Sequence, residues 1–142
     1  MFDSDIIDIF ENKTAKFIRD GNCLPLSDEC SSINYYIRAG GLQDLTMVSK
    51  FLCNKAKADE ELQKLIAWND GVVGKKGDRY DLTSPPFEFD KAPKKEMSKI
   101  QWWDIKSAKI VKASISNEGF GLSYWISEPI NDTVTVYLYQ SP

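Results

Sequence analysis

The spacing of apolar residues changes period partway along this chain. Up to about residue 69 the apolar positions recur at helical intervals. Over residues 4–20, Ile6, Ile7, Phe10, Phe17 and Ile18 fall on one broad stripe. Asp3 or Ser4 can cap such a helix, Asp5 and Asp8 suit the positive end of its dipole, and Gly21 can end it. A loop at residues 22–26 contains Pro25, and a second helix is expected over 27–39, with Cys30, Ile33 and Ile37 inward and Gly40-Gly41 as the stop. Leu42, Leu45, Val48 and Leu52 continue as a third helix. This helix either runs on or breaks near Asp59; the few apolar residues over 54–59 favour a break, with Asp59 able to cap a fourth helix carrying Leu62, Leu65, Ile66 and Trp68 as far as Asn69-Asp70-Gly71.

Beyond Gly71 the period falls to two. Short strands are expected at 79–82 and 87–89, from the pairs Tyr80/Leu82 and Phe87/Phe89. Three longer alternating runs then occupy 108–116, 120–127 and 133–140, separated by turn-forming residues at 117–119 and 128–132. The expected fold class is α+β: N-terminal helices (about 4–69) packed on a C-terminal antiparallel β-meander (about 108–140), within a single domain spanning residues 1–142.

Hydrophobic matching selects a register for the meander, because a slip of one residue turns every side chain to the other face. A two-residue loop at Glu118-Gly119 pairs Ile115 with Leu122, Ala113 with Tyr124 and Val111 with Ile126. A five-residue loop at 128–132 pairs Ile126 with Val134, Tyr124 with Val136 and Leu122 with Leu138. One face then becomes continuously apolar and meets the helices. The other carries Lys112, Ser114, Gly121, Ser123, Trp125, Thr133, Thr135, Tyr137 and Tyr139. Aromatic rings among Ser, Thr and Gly have the composition of a recognition surface, unless the glycine-rich middle or Trp102-Trp103 folds over them. Trp125, Tyr137 and Tyr139 are therefore candidate partner-binding anchors, with one of Trp102 and Trp103 at the margin.

Composition narrows the chemistry. At 142 residues, with 42% hydrophobic and 27% charged residues, the chain can bury a core of its own. There is no histidine, which removes Ser-His-Asp and Cys-His catalysis and histidine-ligated metals together. No GxGxxG, GxxxxGKS or GxSxG segment occurs, and the glycines at 71, 74 and 77 have the wrong spacing for a phosphate loop. Neither a cofactor nor a metal site is expected, and the balance falls against an enzyme. The cysteines Cys23, Cys30 and Cys53 show no metal-ligand spacing and are read as reduced thiols acting as small hydrophobes; a Cys23–Cys30 disulfide is the alternative for an exported protein.

The charge of −3 is unevenly distributed. Residues 1–61 hold 11 acids against 7 bases, whereas residues 62–112 hold 7 acids against 11 bases. Lys91, Lys94, Lys95 and Lys99 precede the tryptophans, but lysines outnumber arginines 15 to 3, which argues against nucleic acid as the partner. No apolar run approaches a membrane span, and the first residues carry acids where a secretory signal would carry lysines, so a cytoplasmic location is expected.

These features favour a small protein-binding module of the inhibitor, immunity or adaptor kind, using the aromatic sheet face. The alternative is a small-molecule pocket, sequestering or enzymatic, under the helices, with Tyr36, Trp68 and Tyr124 among its walls. A final strand left at the sheet edge could also pair two copies across a two-fold axis.

Overall fold

The first strand expected to be a helix shows how the chain is built. Asp5–Ile9 is extended and forms strand β1, at one edge of a seven-stranded antiparallel sheet. The computed structural model describes residues 5–9, 29–40, 44–74, 78–87, 100–117 and 121–140. Strands β2 (Cys30–Gly40) and β3 (Asp44–Asn54) follow, then helix α1 (Lys55–Val73). Strands β4 (Arg79–Leu82), β5 (Ile110–Ser116), β6 (Leu122–Ser127) and β7 (Thr133–Gln140) complete the sheet. The spatial order is β1-β2-β3-β7-β6-β5-β4.

Only one α-helix lies among the described residues, and it comes after three strands. The α+β class stands, but several N-terminal helices do not. The helical reading of 27–39 rested on Cys30, Ile33 and Ile37; the spacing of four between the isoleucines fits a strand as well as a helix, and the spacing of three from Cys30 to Ile33 fits a strand that carries one extra residue. Tyr35, Tyr36 and the two isoleucines are strand-favouring residues, and long-range pairing with β1 and β3 decides the matter. In β3, Met47, Phe51 and Cys53 are buried on one side and Val48 on the other. A strand covered on both faces loses its simple alternation and can resemble a helix stripe. The rest of the first expected helix, the loop at 22–26 and Cys23 lie outside the described residues.

The expected fourth helix is present, and it starts earlier. Asn54, not Asp59, caps it by accepting a 2.9 Å hydrogen bond from the Ala56 amide. Ala58, Leu62 and Leu65 bury one face against the sheet. Gly74, at φ 79°, ends the helix in the left-handed region that a side chain disfavours. Strand β4 matches its expected limits, whereas Phe87 lies in irregular chain and Phe89 outside the described residues. No helix among the described residues is long and apolar enough to cross a membrane.

Two bulges set which residues face which layer. In β2 the pairing passes from Ser31↔Leu52 to Asn34↔Lys50, so Ser32 and Ile33 together oppose Phe51, with Ser32 at φ 49°. The extra residue lets Cys30 and Ile33, three apart, both face the helix side. In β5 the expected register holds at Ile110↔Ser127. Past Val111 it slips by one, giving Ala113↔Trp125 and Ser114↔Tyr124. Ala113 and Ile115 thereby join the Trp125 face, opposite to the expected arrangement, and Val111 is left exposed.

Between β6 and β7 the shift is two residues, Ile126↔Val136 and Tyr124↔Leu138, so the faces are preserved. The cause is a tighter turn than the expected five-residue loop, which moves the pairing by three residues, followed by Glu128 and Pro129 together opposing Val134, which brings it back to two. Ile130 and Thr133 exchange backbone hydrogen bonds of 2.8 and 3.0 Å around Asn131 and Asp132. Both central residues have positive φ, 51° and 62°, the signature of a type I′ turn. Strand β7 is the fourth of the seven and pairs with β3 and β6. It has no open edge, so two copies cannot pair through it.

Candidate functional site

Layers of side chain cover both faces of the sheet. On one, α1 packs over Phe51, Leu122, Tyr124, Val136 and Leu138. On the other, Val48, Ala113, Ile115, Trp125, Tyr137 and Tyr139 are covered by residues from the segment before β5, namely Ile100, Trp102, Trp103 and Ile105. Trp125, Tyr137 and Tyr139 do share the face read from the sequence, but that face is interior: their exposures are 0%, 2% and 3%. The physical reason is area, since three large rings side by side bury more apolar surface under a covering segment than in contact with water. Trp102 and Trp103 remain half-buried.

The rings interlock edge to face. Trp103 lies 5.3 Å from Tyr137 and 6.4 Å from Trp125, each at 87°, and Trp102 stands 6.3 Å from Trp103 at 78°. Around them is a charged rim. Tyr137 Oη donates a 2.6 Å hydrogen bond to Asp104 Oδ1, and Lys50 Nζ donates to the same oxygen at 2.8 Å. Lys50 also sits 5.5 Å above the Tyr137 ring. Burial alone would raise the Asp104 carboxyl, but the hydrogen bonds from Lys50 and Tyr137 outweigh it and hold its pKa below the ordinary value. Burial, then the Asp104 contact, pushes the Tyr137 phenol far above its ordinary range. Tyr137 therefore stays protonated, as its role as donor requires.

A second polar group lies on the helix side. The slip at Val111 turns Lys112 and Ser114 toward this side, where sequence reasoning had placed only apolar residues. Arg79 Nε donates to Ser114 Oγ at 2.8 Å, and its Nη2 donates to the Leu122 carbonyl. Lys112 Nζ donates to Asp59 Oδ1 of α1 at 3.2 Å. Burial pushes the Arg79 guanidinium down and the Tyr124 phenol up. Of the residues read as pocket walls, Tyr124 is buried in the core and Trp68 is half-buried against it; the Tyr36 side chain is outside the described set.

Sequence reasoning missed Lys50, Asp104 and Arg79. Lys50 and Asp104 are 54 residues apart, and no local pattern announces that they meet. Lys91, Lys94, Lys95 and Lys99 lie outside the described residues. Among the described residues no group of three or more Cys, Asp and Glu side chains could hold a metal ion. No family model, curated protein or solved structure matches the chain.

Proposed function

We propose that the chain is a protein-binding module of the inhibitor, immunity or adaptor kind, docking an acidic partner surface on Trp102 and Trp103. The observation that carries this reading is the half-buried tryptophan pair held against Trp125 and Tyr137. Tryptophan is the commonest kind of binding hot spot, and rings already fixed by packing lose little freedom on association. Exposed Lys106 and Lys109 follow in the same segment, and Lys109 has only a 3.9 Å surface contact with Glu128. They give the margin a positive character that suits acidic side chains.

The test is capture from source-cell extract by immobilised wild type, Trp102→Ala, Lys106→Glu and Val111→Ala, each checked for folding by circular dichroism. An acidic protein retained by wild type and Val111→Ala, and lost with the other two, is the expected result. Retention of the same proteins by all four, or of none beyond bare matrix, would overturn the reading.

A second reading, a small-anion site on the helix side, draws on the desolvated Arg79 beside Ser114 and Tyr124. It predicts that inorganic phosphate raises the melting temperature of wild type and not of Arg79→Gln. Equal shifts in both proteins would reject it.

A further inference from the structure

We propose that Cys30 and Cys53 form a reversible cross-strand disulfide, closed by exchange with a small-molecule disulfide such as oxidised glutathione. The two residues are direct partners in the β2–β3 ladder, and their sulfurs lie 3.9 Å apart. Directly opposed residues of an antiparallel pair have Cα atoms about 4.5 or about 5.5 Å apart. Both spacings fall inside the roughly 4.4–6.8 Å that a disulfide spans. Closure therefore needs side-chain rotation rather than strand movement. Both sulfurs face the helix side, because the bulge at Ser32 and Ile33 restores the facing of Cys30.

Both thiols are buried, at 2% exposure, so a reagent must reach them through local opening. The position in the ladder provides for it. Cys30 is the first residue of β2 and its neighbour Glu29 is exposed, whereas Cys53 is held on its other side by Val134 of β7, so the opening is a peeling of the β2 end away from β3. Beyond the bulge this end of the ladder consists of two pairs, Cys30↔Cys53 and Ser31↔Leu52. Strand ends cut off by a bulge open far more often than the sheet centre. Burial raises the Cys53 thiol, which keeps the closed strand end unreactive until it opens.

The step balances without any further oxidant. One thiolate attacks a sulfur of oxidised glutathione and releases one reduced glutathione. The second thiolate then displaces the other glutathione from the mixed disulfide. The two protein thiols are oxidised, one glutathione disulfide is reduced to two thiols, and the two protons lost by the protein end on those two glutathione thiols. The product joins residues 30 and 53 and clamps the two strands of the hairpin together.

The test uses the full chain with Cys23→Ser, so that only the two thiols remain, incubated with oxidised glutathione and then mapped by mass spectrometry under non-reducing conditions. The expected product is a monomer lighter by the mass of two hydrogen atoms, with the peptides of Cys30 and Cys53 joined, and a melting temperature raised by about 5–10 °C. Dithiothreitol should reverse both changes. Cys53→Ser in the same background should yield a stable glutathione adduct on Cys30 in place of the crosslink. The proposal is overturned if both thiols remain alkylatable, if both carry glutathione, or if the crosslink joins two chains.

Discussion

The Tyr137 phenol donates a 2.6 Å hydrogen bond to Asp104, tying the middle strand of the sheet to the segment that covers its outer face. Because Lys50 donates to the same carboxylate oxygen, the three groups act as a unit. Tyr137→Phe removes one donor and leaves the ring in place, so it should destabilise the fold by about 1–2 kcal/mol. Asp104 is half exposed, which keeps the effect at the lower end. Asp104→Asn should overlap with it, and the double variant should be less destabilised than the two singles added together. Urea denaturation of the three variants measures this.

Acid should weaken the same contact. The Asp104 carboxyl sits below its ordinary pKa, so as pH falls the unfolded chain takes up this proton before the folded one does. Its contribution is thus fully present above about pH 4 and is lost as pH drops through the folded-state pKa. The stability gap between wild type and Asp104→Asn should close across that window. A gap that stays constant down to about pH 2 would show that the carboxylate charge is not what holds the segment.

At the alkaline end the sign reverses. Tyr137 and Tyr124 have raised pKa values, so the unfolded chain loses these protons first and stability falls as pH rises above about 10. A phenolate absorbance titration should show Tyr124 and Tyr137 ionising only as the fold is lost, and Tyr137→Phe should lag by one phenol fewer than wild type.

Trp103 touches Trp102, Trp125 and Tyr137, whereas of these rings Trp102 meets Trp103. Trp103→Ala should therefore cost about 3 kcal/mol, near the lower limit for a buried aromatic because the ring is half-covered. Trp102→Ala should cost less, leaving a folded protein for the binding experiment. Thermal melts of the two variants compare them.

What the sequence made legible was local. Strand β4, the existence of the helix around Leu62–Trp68 and the co-facing of Trp125, Tyr137 and Tyr139 all follow from short-range period and turn chemistry. What it hid depends on distant partners. Residues 30–40 become a strand because β3 pairs with them, and a spacing of four at Ile33 and Ile37 cannot separate the alternatives. The outer rings read as surface because their cover, Ile100 to Ile105, has no periodic pattern of its own. Lys50 and Asp104 meet only once β3 lies against β7.

The slip at Val111 gives the most direct test of how the two faces are assigned. Hydrophobic matching alone turns Val111, Ala113 and Ile115 toward the helix, and it does so by assuming an uninterrupted ladder. The bulge instead exposes Val111 at 45% and buries Ile115 at 0% among the outer rings. Val111→Thr should change stability by no more than about 0.5 kcal/mol, as expected for an exposed position. Ile115→Thr puts a hydroxyl beneath the aromatic layer and removes a methyl group, and should cost roughly 2–3 kcal/mol. Under the uninterrupted register both residues face the helix, and the two substitutions would cost alike. Chemical denaturation of this one pair distinguishes the bulged ladder from the regular one, and with it whether Lys112 and Ser114 belong beside Tyr124 or Trp125.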